Sequence, residues 1–91
     1  MLVMSREIGQ ALVIEDVVVT LDAFDDQHAD ITLQKVAGGK SISLTLNLNE
    51  FVDACYDTRI VLIATRDTKA RLGIEAPKNV PIHRKEIWDQ L

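Results

Sequence analysis

The sequence predicts a small, mainly β protein of antiparallel strands, with a short helix near 49–56 and a second helix at the C-terminus. Three observations carry that prediction. Apolar and polar residues alternate with a period of two in windows such as Leu2–Arg6 and Ser41–Leu46, the pattern of a half-buried strand. The apolar runs are short and are punctuated by Gly9, by Asp25-Asp26-Gln27-His28, by Gly38-Gly39-Lys40 and by Arg66-Asp67-Thr68. Only two windows have helical spacing, one after Asn47 and one after His83.

In chain order, Leu2, Met4 and Arg6 face one side of a first strand and Val3 and Ser5 the other. Gly9 ends it, and Ala11–Ile14 is a second strand after a hairpin turn. Glu15-Asp16 is a polar connection to a β-branched third strand over Val17–Phe24, and a fourth covers Ala29–Val36. Ser41–Leu46 is the fifth. Asn47 with Glu50 three residues later has the form of a helix cap, and Phe51, Ala54 and Cys55 then share one face of a helix ending near Asp57. Strands follow over Arg59–Thr65 and Lys69–Ile74. Pro77 denies a ladder its N–H, so Ala76–Asn79 is a turn. Val80–His83 is a last short strand, and Arg84–Leu91 a helix with Ile87, Trp88 and Leu91 as its docking face.

At 91 residues the chain is a single domain, 1–91, of a size that oligomerisation often supports. Hydrophobic residues make up 47% and charged ones 26%, a globular and not a disordered composition. The lone Cys55 excludes an intrachain disulfide scaffold. No basic segment leading into a long apolar core marks a signal peptide, and no apolar stretch reaches the ~18 residues of a membrane span. A cytoplasmic protein is expected. The net charge of −4 is unevenly distributed. Residues 1–57 hold three Lys/Arg against ten Asp/Glu, a balance of −7, whereas residues 58–91 hold seven against four, a balance of +3. A ligand rich in phosphate therefore belongs with the second half, if with either.

The chain also echoes itself. A shift of 41 positions lays Leu21, Ala23, Asp26 and Ala29 on Leu62, Ala64, Asp67 and Ala70, and the apolar pattern of 18–33 falls on that of 59–74. Two readings compete: a tandem duplication of a strand–turn–strand hairpin, or the chance agreement of two amphipathic hairpins. Duplication is favoured, because the shift nearly equals the excess length considered next.

The two ends carry a resemblance. The head, Met1-Leu2-Val3-Met4-Ser5-Arg6-Glu7-Ile8-Gly9, and the tail, from Arg71-Leu72-Gly73-Ile74-Glu75-Ala76-Pro77 through Val80-Pro81-Ile82-His83-Arg84-Lys85-Glu86-Ile87, resemble the carbon storage regulator family (CsrA, RsmA, RsmE) of translational regulators. About forty residues more than that family's length separate them, so the resemblance implies an inserted strand–helix segment at approximately 17–57. It further implies a barrel-like intertwined homodimer and an RNA site where the first strand of one chain meets the last strand of its partner. By position, Met4, Ser5 and Arg6 would form one wall of that site, and Ala76, Pro77, Val80, His83 and Arg84 the other. The implied ligand is messenger RNA carrying a GGA sequence in a hairpin loop, with small regulatory RNA and a protein antagonist as further partners. The implied mechanism is steric block of translation initiation.

The residue types suit that chemistry. Arg84 offers a planar five-donor fork that fits phosphate and the O6/N7 edge of guanine, and Arg6 adds a second cation. The backbone around Ala76-Pro77-Lys78 can hydrogen-bond unstacked bases. Glu7 departs from the family, which usually carries a basic residue there. Without the resemblance, Arg84 reads as a surface arginine and His83 as a structural histidine. No enzyme is expected and no cofactor. Asp22, Asp25, Asp26, His28 and Asp30 lack calcium-loop spacing and read as a solvated turn, Cys55 as core, and Trp88 as a packing residue before a base-stacking one. The alternative function is a diverged paralogue that binds protein through its acidic segment, or forms mixed dimers, without binding RNA.

Overall fold

The computed structural model describes residues 1–91. Nine strands and one short helix follow in order: β1 Leu2–Glu7, β2 Ala11–Ile14, β3 Val17–Phe24, β4 His28–Lys35, β5 Ser41–Asn47, β6 Phe51–Asp53, β7 Arg59–Arg66, β8 Lys69–Glu75, β9 Ile82–Arg84 and α1 Lys85–Trp88. They form two antiparallel sheets, ordered β1-β8-β7-β6 and β5-β4-β3-β2-β9. The mainly β architecture with a C-terminal helix is as the period-two windows predict.

The chain changes sheet where its backbone turns sharply. β1 lies in the first sheet and β2 in the second. Gly9 makes the crossing at φ +89 and gives its N–H to the Leu21 carbonyl at 2.8 Å. β5 lies in the second sheet and β6 in the first. Asn49 makes that crossing at φ +62 and gives its N–H to the Leu62 carbonyl at 2.8 Å. Asparagine tolerates this left-handed conformation better than most residues.

Each sheet turns one face inward, as strand alternation requires. Val17, Val19 and Leu21 of β3 and Ala29, Ile31 and Leu33 of β4 meet Ile60 and Leu62 of β7 and Ala70, Leu72 and Ile74 of β8 in one cluster. Met4 of β1 and Leu46 of β5 complete it from the two crossing strands. Each fully buried Leu or Ile contributes about 1.5–3 kcal/mol relative to exposure, so this shared cluster is what joins the sheets. Gly73 serves the opposite, outer face. A Cβ there would lie 2.7–2.9 Å from Met1 Sδ, Ile63 Cδ1 and Val61 Cγ1, so the glycine lets those side chains close over β8.

The echo in the sequence is carried by the backbone. The β3–β4 ladder runs Leu21↔Ile31 and then skips to Ala23↔Asp30, and the β7–β8 ladder runs Leu62↔Leu72 and then skips to Ala64↔Arg71. The same bulge thus falls at positions 41 apart. Ahead of it the offset is one less: β1 matches β5, and the Gly9 crossing matches Asn49. The two-residue turn Glu15-Asp16 between β2 and β3 becomes Cys55-Tyr56-Asp57 between β6 and β7.

The helix expected near 49–56 is not formed. Phe51, Val52 and Asp53 pair with Val61, Ile60 and Arg59 as β6. Positive φ at Asn49, Tyr56 and Asp57 interrupts any helix on both sides. A window this short gains little from helical bonds alone, and the ladder with β7 outcompetes a favourable cap. Ile87 and Leu91 do not dock either: they are 45% and 81% exposed, and α1 buries no residue.

Candidate functional site

The head strand β1 and the tail, β9 with α1, meet at one end of the molecule. In β1, Met4 and Arg6 share the inward face, so the alternation that buries Met4 also buries Arg6. A buried guanidinium needs its donors satisfied and its charge matched. Arg6 Nη1 donates to the Ala11 carbonyl at 3.0 Å and to Glu86 Oε1 at 2.8 Å, Nη2 donates to Glu86 Oε2 at 3.1 Å, and Nε donates to the Ser5 carbonyl at 2.9 Å. The fork-to-fork pairing with Glu86 is the strong form of an arginine–carboxylate contact. It pulls the Glu86 carboxyl from its ordinary 4.5 down to about 2, chiefly through the hydrogen bonds from Arg6. This pair, and not an apolar face, ties α1 to the head.

Beside it, β9 lies against β2 with Ile82↔Ile14, His83↔Val13 and Arg84↔Leu12. His83 is half-buried and Arg84 is exposed at the point where the chain enters α1. The positive charge of Arg84 also favours the ionised form of Glu86, which places both arginines around one carboxylate. Along α1, Lys85 pairs with Asp89 at 2.5 Å and sits over the Trp88 ring at 5.9 Å.

On the outer face of the first sheet, Ser5 lines a cleft with Arg66, Asp67, Thr68, Lys69 and Arg71. Arg71 is the cross-strand neighbour of Ser5, and Lys69 faces Arg66 across the β7–β8 hairpin. Three cations against one carboxylate make this a basic trough. Ala76 and Pro77 line a different cleft, with Asp53, Asp57, Arg59 and Glu75, whose balance is acidic. Arg59 is occupied there by Glu75 at 2.8 Å and by the Phe51 ring at 4.4 Å.

The structure therefore brings Arg6, His83 and Arg84 to the head–tail junction. It places Met4 in the core, packs Val80 against that core, and puts Ser5 and the Ala76-Pro77 pair on separate clefts. Sequence reasoning missed Glu86 as the partner of Arg6, since eighty residues separate them. It also missed the trough, for which a signal was present: Lys69 and Arg71 are two apart in a strand and so share a face. Asp25, from the metal-like collection, accepts the N–H groups of Gln27 and His28 at 2.8 Å each and closes the β3–β4 turn. No helix is long and apolar enough to cross a membrane.

A protein-family model described as CsrA, the global regulator protein family, matches residues 42–91, from β5 through α1 without interruption. Three similar curated relatives are named Translational regulator CsrA. The one from Rhodopirellula baltica is 42% identical over 48 residues, covering 53% of this chain and 69% of the relative. That from Lachnoclostridium phytofermentans is 38% identical over 50 residues, covering 55% and 69%. That from Bacillus subtilis is 40% identical over 45 residues, covering 50% and 61%. No solved structure matches the chain. With more than half of its residues under the family model, and with Arg84 and Glu86 inside that stretch, the chain belongs to the CsrA family.

Proposed function

We propose that this chain is a cytoplasmic post-transcriptional regulator that binds messenger RNA carrying a GGA sequence in a hairpin loop and blocks translation initiation by occupying it. The supporting observation is the junction itself: an exposed Arg84, with its five donors unshared by any protein acceptor, beside a fixed Arg6–Glu86 pair. Arg84 reads a guanine edge, where a bidentate contact carries the discrimination. Met4, Arg6, Val80 and His83 hold the walls of the site in register, and Ser5, Ala76 and Pro77 present the flanking surface. The basic trough of Arg66, Lys69 and Arg71 beside Ser5 receives the phosphates on either side of the loop. Small regulatory RNAs with the same loops compete for this surface, and a protein antagonist would cover it. The names of the relatives support the class of function; the loop sequence and the blocking mechanism are our reading.

The test is binding of a GGA hairpin and a hairpin with the loop scrambled, measured from low to moderate salt. The GGA loop is expected to bind at least tenfold more tightly. Its log–log salt slope should be roughly −2 to −3, since three or four cations each neutralise a phosphate at about −0.7 apiece on single-stranded RNA. Equal binding of both loops would reject sequence-selective recognition. A second reading, a protein-binding paralogue, draws on the acidic cleft of Asp53, Asp57 and Glu75. It predicts no hairpin binding at any salt concentration.

A further inference from the structure

Resting on the RNA reading above, we infer that a single chain carries one complete site and no second, so that its ligand is an RNA presenting one loop, held by one unpartnered chain. The inference comes from the internal repeat. β1, β2, β3 and β4 are repeated as β5, β6, β7 and β8, down to the bulge at Leu21/Ala23 and Leu62/Ala64. In each copy the first strand crosses to the sheet of the other copy: β1 pairs with β8, and β5 pairs with β4. Two chains of such a unit could complete one another's sheets by exchanging strands; here one chain does so with itself. The two copies are joined by Val36–Lys40, in which Gly38 and Gly39 turn at φ +93 and +95. We therefore read the excess length as a tandem copy of four strands placed ahead of the family-matched stretch.

Only the second copy continues into a tail. β9 completes the second sheet at the edge of β2, while β6, the repeat of β2, has no strand on its outer edge. The head at the corresponding position has changed as well. Leu44, Thr45 and Leu46 stand where the first copy has Met4, Ser5 and Arg6, and Leu46 is fully buried. The surface beside β6 carries Asp53, Asp57 and Glu75 with only Arg59, itself paired, so it repels phosphate. Cation, tail strand and favourable charge are all missing from that second position. The bare edge of β6 is three residues long and ends in Asp53, a protected edge that does not invite another chain.

The test joins a mass measurement to a titration. Light scattering over a hundredfold range of protein concentration should give the mass of one chain throughout. Titration with a single-GGA hairpin should saturate at one RNA per chain, and an RNA with two such loops should take up two chains in succession. A dimeric mass, or two hairpins bound per chain, would overturn this inference while leaving RNA recognition intact. Failure of the chain to bind any hairpin, at a mass of one chain, would instead overturn the RNA reading and this inference with it.

Discussion

The two copies of the four-strand unit share a backbone and differ in what they do with it. β1 and β5 occupy matching places in opposite sheets, yet the inward position after the core residue is Arg6 in one and Leu46 in the other. Arg6 is tolerated because Glu86 and the Ala11 carbonyl meet its fork. Leu46 has no such partners and simply fills the core. A buried cation on this scaffold is thus conditional on a tail lying beside it, and the chain has one tail. Structural asymmetry is thus written onto a symmetrical fold by the fate of a single strand position.

The comparison can be broken most severely at that position. Leu46→Arg would bury a charge without the tail carboxylate that meets Arg6, at a cost of about 3–5 kcal/mol, seen in urea denaturation as a large fall in midpoint. A variant as stable as the wild type would mean that β6 has a hidden partner for the cation. The two bulge leucines test whether the copies are energetically alike. Leu21→Ala and Leu62→Ala should each cost about 2–5 kcal/mol and agree closely, because both side chains are at most 1% exposed in the same cluster. A large disparity would show that one copy folds as an accessory of the other.

Acid should act at the head–tail junction, where Arg6 of the first copy meets Glu86 of the tail. The Glu86 carboxyl lies at about 2 in the folded chain, below its ordinary 4.5. Its folded state therefore binds a proton less readily than its unfolded state. The contribution of the Arg6–Glu86 pair is fully present above about pH 4.5 and is lost as pH falls toward 2. The sole tryptophan, Trp88, sits in α1 two residues on and reports the release of the tail by fluorescence. In Glu86→Gln that acid transition should vanish; its persistence would assign the step to another carboxylate. The expected effect on overall stability is small, since Glu86 is half-exposed.

Much of this fold was legible because strands write a short-range code. The alternation in Ser41–Leu46 and the turn signals at Gly9 and Gly38-Gly39 located their elements within a residue or two. The segment 49–56 failed for the opposite reason. A cap and an apolar triplet are local signals, and the ladder to Arg59–Val61 that overrode them is tertiary. The echo holds the corrective, since it maps Ala11–Ile14 onto this stretch, but its apolar pattern is plain in the sequence only from Val18 onward. In the site, the tail motif singled out Arg84, which is exposed at the junction. Arg6 was read as an open cation because its sequence neighbours do not reveal an acceptor eighty residues away. The helix face of Ile87 and Leu91 was misread through the same blindness: an ion pair, invisible to periodicity, holds α1 in place.

On the proposed function, the tail arginine of the one intact junction reads RNA. The most direct measurement is the dissociation constant of a GGA hairpin for the wild type and for Arg84→Ala under one salt condition, with both melting curves recorded. Unchanged melting is expected, with a loss of about 5- to 150-fold in affinity, the worth of a bidentate base contact of roughly 1–3 kcal/mol. Equal affinity in the two proteins, with both fully folded, would contradict it.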